Sequence, residues 1–151
     1  MVLRVHPPFD SPRGDRKSSG TQKRAQGARV LIIDDGVEAR ELSAACLEFR
    51  GFRTMIAEDG PTGLAMARSL SPDAILLDFC MPSMDGAEVV LRLKADERTR
   101  AVPIVMLTAI PEAVTAMTRD NLAGFLEKPC EAERLVDAVL EVLTPPSVRS
   151  A

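Results

Sequence analysis

The sequence predicts an α/β domain, a doubly wound five-stranded parallel sheet whose strands alternate with helices. Three stretches carry that expectation: Val30-Leu-Ile-Ile33 runs into Asp34-Asp35, Ala74-Ile-Leu-Leu77 ends in Asp78, and Ile104-Val-Met-Leu107 ends in Thr108. Short apolar runs bounded by polar or turn residues suit strands buried on both faces, as a parallel sheet requires. In such sheets the site lies beyond the carboxyl ends of the strands, so Asp34, Asp35, Asp78 and Thr108 should converge there. A fifth apolar step from Gly124 leads into Lys128-Pro129 and adds a cation to the same edge. Three carboxylates, a hydroxyl and a lysine suit a divalent cation beside a phosphoryl group.

Between the strands the helices follow from spacing and punctuation. Leu42, Ala45, Cys46 and Phe49 recur at helical intervals before Gly51, which predicts a first helix with these residues, Cys46 included, on its core face. Phe52 to Ala57 reads as the second strand. Asp59-Gly60-Pro61 opens a second helix with Leu64, Ala67 and Leu70 inward, and Ser71-Pro72-Asp73 turns the chain back. Asp85-Gly-Ala-Glu88 has the form of a capping box before a third helix carried by Val89, Val90 and Leu93. A fourth helix, starting near Pro111, shows a narrow apolar face of Ala113, Val114 and Met117 and is expected to pack weakly. The last helix is the clearest, with Leu135, Val136, Val139, Leu140 and Leu143 on one side before Pro145-Pro146.

Five features in order give the chain a resemblance to response-regulator receiver domains over 29–143. They are the acidic pair Asp34-Asp35, the run Leu-Leu-Asp78-Phe-Cys-Met-Pro-Ser-Met-Asp85-Gly86, Thr108, Phe125 and Lys128-Pro129. The resemblance implies a CheY-like, flavodoxin-like three-layer (βα)5 sandwich. It makes Asp78 the phosphoacceptor, with Asp35 and Asp78 binding Mg²⁺ directly, Asp34 acting mainly through water and the backbone carbonyl of Cys80 as a further ligand. Lys128, ahead of an expected cis peptide bond, would meet the phosphoryl oxygens. Thr108 would follow the phosphoryl group inward and Phe125 would turn into the space left behind. The interval from Thr108 to Lys128 is a couple of residues shorter than the family's pattern. That puts the length of the fourth helix, and any standard dimer face, in question.

Bulk properties bound the rest. At 151 residues and 46% apolar composition, the chain can bury one domain core. Residues 1–29 hold seven Lys and Arg against two Asp, whereas the whole chain has a net charge of −3. We expect 1–28 to be a disordered basic extension and 144–151 a short flexible tail. The extension has one aromatic, Phe9, and no continuous basic run, so direct nucleic-acid binding is not expected. Cys46, Cys80 and Cys130 lack disulfide or metal spacing, which fits a reducing cytoplasm; a redox switch at Cys80 and Cys130 is disfavoured. No apolar stretch approaches the roughly 20 residues that cross a bilayer.

The functional expectation is a single-domain switch, not a turnover enzyme beyond self-phosphorylation and self-dephosphorylation. Its partners would be a sensor histidine kinase or histidine phosphotransfer protein and a downstream protein target, with a homodimer left open. Two alternatives compete. A pseudo-receiver would bind partners without phosphorylation. An aspartyl-phosphate metal-dependent phosphatase would ordinarily carry Asp-x-Asp where this chain has Asp78-Phe-Cys80, and it would carry a cap insertion. The least expected is a DNA-binding regulator, since no helix-turn-helix pattern follows Leu143. Taken alone, Asp78 could be a turn aspartate and Asp34-Asp35 an Asx-turn pair; Thr108 and Phe125 could be strand-end and core residues.

Overall fold

The computed structural model describes residues 25–144. Five parallel strands form one sheet in the order β2-β1-β3-β4-β5. They are β1 (Arg29–Ile33), β2 (Arg53–Ala57), β3 (Ala74–Asp78), β4 (Ile104–Thr108) and β5 (Gly124–Glu127). The helices are α1 (Val37–Phe49), α2 (Gly60–Leu70), α3 (Gly86–Ala95), α4 (Ala116–Asp120) and α5 (Ala132–Leu143). Strand order reverses between β1 and β3, so a crevice opens beyond their carboxyl ends, where Asp34, Asp35 and Asp78 follow.

Alternation along each strand divides the core in two. Val30, Ile32, Leu76, Val105, Leu107 and Leu126 pack with α1 and α5 on one face. Leu31, Ile33, Ile75, Leu77, Ile104 and Met106 pack with α2 and α3 on the other. Burying each such aliphatic side chain is worth about 1.5–3 kcal/mol, and this anchors the strands that carry the acids.

The first helix is rotated from its expected setting. Ser43, Ala44 and Leu47 face the sheet, whereas Leu42 is 67% and Phe49 90% exposed; Cys46 is half-buried and packs against the core as expected. The cause lies at the helix entrance. Arg40 reaches back to the carbonyl oxygens of Asp34 and Asp35 at 3.1 and 3.4 Å. With Arg40 on the strand side, residues four and seven positions later, Ala44 and Leu47, must face inward.

Three further expectations shift. The fourth helix is split into a 3-10 turn (Pro111–Ala113) and the five-residue α4, with Val114 and Thr118 buried and Met117 73% exposed. The cap of α3 is half of the expected box: Asp85 accepts from the Glu88 amide at 3.0 Å, but Glu88's carboxylate pairs with Arg92 at 2.8 Å. The domain also begins before residue 29. Ala25 lies in the core, Gly27 donates to the Gly51 carbonyl at 2.9 Å, and the Ala28 carbonyl accepts from Arg53 at 2.8 Å. The rest of the expected extension, 1–24, and the tail 145–151 lie outside the described residues. Elsewhere the reading holds. Leu64 and Ala67 of α2, Val89, Val90 and Leu93 of α3, and Leu135, Val136, Val139 and Leu140 of α5 are buried. Leu70, expected inward, is instead 37% exposed, because it lies in the last turn of α2.

Gly86 shows how closely the loop after β3 is folded onto the strand. Its amide donates to the Phe79 carbonyl at 2.8 Å. A Cβ there would lie 2.8 Å from the Phe79 Cα and 3.1 Å from the Asp78 carbonyl oxygen, backbone atoms that cannot step aside. Gly86→Ala is therefore expected to destabilise the domain by about 1–3 kcal/mol, read as a lower melting temperature.

Candidate functional site

The strand ladder itself delivers the acids to one edge. Asp34 donates its amide to Ala57 at 3.1 Å, Phe79 to Leu107 at 3.1 Å and Lys128 to Thr108 at 2.8 Å, so pairing continues one step beyond each strand. Carboxylate oxygens of Asp34, Asp35 and Asp78 come within 4.8 Å of one another. Asp34 and Asp78 are buried, and Asp35 is exposed. Lys128 crosses from the end of β5, with its Nζ 3.3 Å from Asp78 Oδ1 and 3.8 Å from Asp34 Oδ2. The Lys128–Pro129 peptide bond is cis.

Asp34 divides its two oxygens. Oδ1 accepts from the Gly36 amide at 2.9 Å, closing an Asx-type turn, while Oδ2 faces Lys128. The turn alternative for Asp34 is thus met by one oxygen, and the other stands beside Lys128. Asp78 has its carboxyl pKa raised, first by burial and then by the neighbouring Asp34 charge; Lys128 and the Cys80 amide pull the other way. The pocket therefore disfavours an uncompensated third negative charge and favours a cation among the acids.

Thr108 is fully buried, and its hydroxyl accepts from the Ile110 amide at 3.0 Å. Pairing of Met106 with Phe125 puts that aromatic on the sheet face shared by Met106 and Thr108. Phe125 is half-buried against the α2–α3 core. Cys80 and Ile110 are both exposed, Ile110 by 40%. Burial raises the Cys130 thiol pKa, with Glu131 adding to the shift and Arg134 opposing it, which keeps the sulfur protonated.

Two arginines escaped the sequence reading. Arg40 donates to the two carbonyls of the acidic turn, and Arg119 places its guanidinium carbon 4.2 Å from the Phe125 ring centroid. The first was legible in principle, since an arginine five residues after an acidic pair falls on the first turn of the helix. Arg40→Ala is expected to weaken Mg²⁺ binding about fivefold, the worth of one hydrogen bond that orients the turn, as measured by Mg²⁺ titration.

A family model described as the response regulator receiver domain matches residues 30–140. The chain belongs to the response-regulator receiver family. Protein PilH of Pseudomonas aeruginosa is 32% identical over 118 residues, which are 77% of this chain and 98% of that protein. The DNA-binding dual master transcriptional regulator RpaA of Synechocystis is 38% identical over 122 residues, 76% of this chain. There the match spans about half of the relative, 48% of its length. Chemotaxis response regulator CheY4 of Vibrio cholerae superposes with a TM-score of 0.69 at 29% identity, covering 78% of this chain and 99% of that one. A receiver domain of two-component signalling is in general a non-enzymatic switch that interacts with a histidine kinase or phosphotransfer protein and binds Mg²⁺ at an acidic pocket. Among the described residues, no helix of this receiver domain is long and apolar enough to cross a membrane.

Proposed function

We propose that this receiver domain is a phosphoacceptor switch whose acceptor is Asp78, and that it signals by phosphorylation-dependent contacts with a downstream protein. The observation that carries the reading is the meeting of Asp34, Asp35, Asp78 and Lys128 at one sheet edge, next to the buried Thr108 hydroxyl.

Hard carboxylate oxygens in a small cluster fit Mg²⁺, which accepts few protein ligands and retains water. Asp35 and Asp78 would hold it directly, Asp34 chiefly through water, with the Cys80 carbonyl completing the protein's share. When bound, the metal supplies charge neutralisation among the acids and the incoming phosphoryl oxygens.

An Asp78 carboxylate oxygen attacks phosphorus, the phosphorus–nitrogen bond to the partner's histidine breaks, and its electron pair returns to the imidazole. Lys128 receives one of the phosphoryl oxygens as a point charge. Thr108 offers its hydroxyl to another, which requires it to leave the Ile110 amide. Phe125, on the same face of the sheet, then moves toward the vacated space and alters the surface around α4, β5 and α5.

The cytoplasm is the proposed location, in keeping with three free cysteines among the described residues. The full-length protein incubated with acetyl phosphate and Mg²⁺ should gain the mass of one phosphoryl group. No gain from acetyl phosphate or from a phosphorylated histidine donor would leave the pseudo-receiver reading instead. Repeated turnover of small phosphate esters would favour the phosphatase.

A further inference from the structure

We propose that Arg119 is a positioning residue that holds Phe125 in place and opposes the switch until Asp78 is phosphorylated. Its side chain joins two parts of the structure that the signal must move. The guanidinium lies over the Phe125 ring at 4.2 Å, and Nη2 donates to the Pro111 carbonyl at 2.7 Å. Phe125 belongs to β5, whereas Pro111 opens the turn that follows Thr108.

The second contact ties Arg119 to the site through a short run of bonds. Thr108 Oγ1 accepts from the Ile110 amide at 3.0 Å, and the Ile110 carbonyl accepts from Ala113 at 3.0 Å. Pro111 lies between these anchored residues. The Pro111 carbonyl also accepts from the amide of the buried Val114 at 3.2 Å. When Thr108 turns to the phosphoryl group, its hold on Ile110 is lost, and the turn that sets the Pro111 carbonyl keeps one support fewer. The anchor of Arg119 then loosens, and with it the cation over the Phe125 ring.

The helix that presents Arg119 is short and is seated by the buried Val114 and Thr118. Only five residues long, α4 is capped by Thr115, whose hydroxyl accepts from Thr118 at 3.2 Å, and its Met117 points into solvent. Arg119 itself is exposed, so the guanidinium can leave for water at small cost. A contact of this kind at an exposed site shifts an equilibrium about threefold, enough to bias a switch without locking it. Lysine would keep the charge but lose the planar stack and the fork that reaches Pro111.

The inference rests on the phosphoacceptor reading, and the test separates the two. Full-length wild type, Arg119→Ala, Arg119→Lys, Phe125→Ala and the double variant R119A/F125A are titrated with beryllofluoride, a phosphoryl analogue, in Mg²⁺ with ¹⁹F NMR detection. We expect Arg119→Ala to bind about threefold tighter than wild type, Arg119→Lys to fall between them, and Arg119→Ala to change nothing once Phe125 is alanine. Equal or weaker binding by Arg119→Ala, or the same gain in the Phe125→Ala background, would overturn the role of Arg119 and leave the acceptor reading standing. No binding by the wild type would overturn both.

Discussion

Asp78→Asn is expected to take up no phosphoryl group from acetyl phosphate in Mg²⁺ while remaining folded, because the amide keeps the shape of the carboxylate but lacks its nucleophilic oxygen. Intact mass after incubation measures this directly. Label uptake equal to wild type would move the acceptor elsewhere. The same variant carries a stability consequence with a definite sign. Burial, reinforced by Asp34, raises the Asp78 pKa from 3.8, so the folded protein holds that proton more tightly than the unfolded chain. Stability is then lost as pH rises from the unfolded value through the raised folded one, and the loss persists at neutral pH. Without Mg²⁺, Asp78→Asn should melt above wild type at neutral pH, by about 4 °C for each kcal/mol relieved. The difference should vanish below the ordinary carboxylate range, where both side chains are neutral.

The persistence of the signal gives the second large effect. Hydrolysis of an acyl phosphate on Asp78 needs a water held in line with the phosphorus. Resemblance to the family assigns influence over that water to the positions two after the acceptor and two after the threonine. Here those positions hold Cys80 and Ile110, and both are exposed at the active edge. Neither side chain offers a carboxamide or carboxylate to orient water, so loss of the phosphoryl group is expected to be slow. Cys80→Asn combined with Ile110→Glu should shorten the half-life roughly tenfold, the effect of about 1.4 kcal/mol on the barrier. The exposure of both sites lets the new polar groups stay hydrated, and the Ile110 amide that holds Thr108 is retained. The half-life is read by intact mass after donor removal at constant Mg²⁺. An unchanged value would place control of the water in the backbone.

Legibility in the sequence followed how local each determinant is. Asp34, Asp35, Asp78 and Thr108 could be found because they follow buried apolar runs, and Lys128 because it follows the short β5 step and precedes Pro129; the parallel sheet aligns such ends whatever the side chains between them. The α1 face could not, because 40-43-44-47 and 42-45-46-49 are both helical stripes and the second is the more apolar. The Arg40 contacts with the acidic turn favour the first. Asp85 was recognisable as a cap from its spacing, whereas Glu88 had two partners within reach and took Arg92. The position of Ala25 in the core was hidden by a polar, basic neighbourhood that reads as solvated tail.

By itself, then, the amino-acid order determined the strands, their parallel alternation with helices and the set of groups at the sheet edge, because apolar periodicity and turn chemistry act over a few residues. Tertiary structure alone decided the rotation of α1, the division of Asp34 between its turn and Lys128, and the seat of Arg119 over Phe125. Lys128 with Asp34 at 3.8 Å and Arg119 with Phe125 at 4.2 Å join side chains from separate elements, and such contacts exist only after the sheet has brought the elements together.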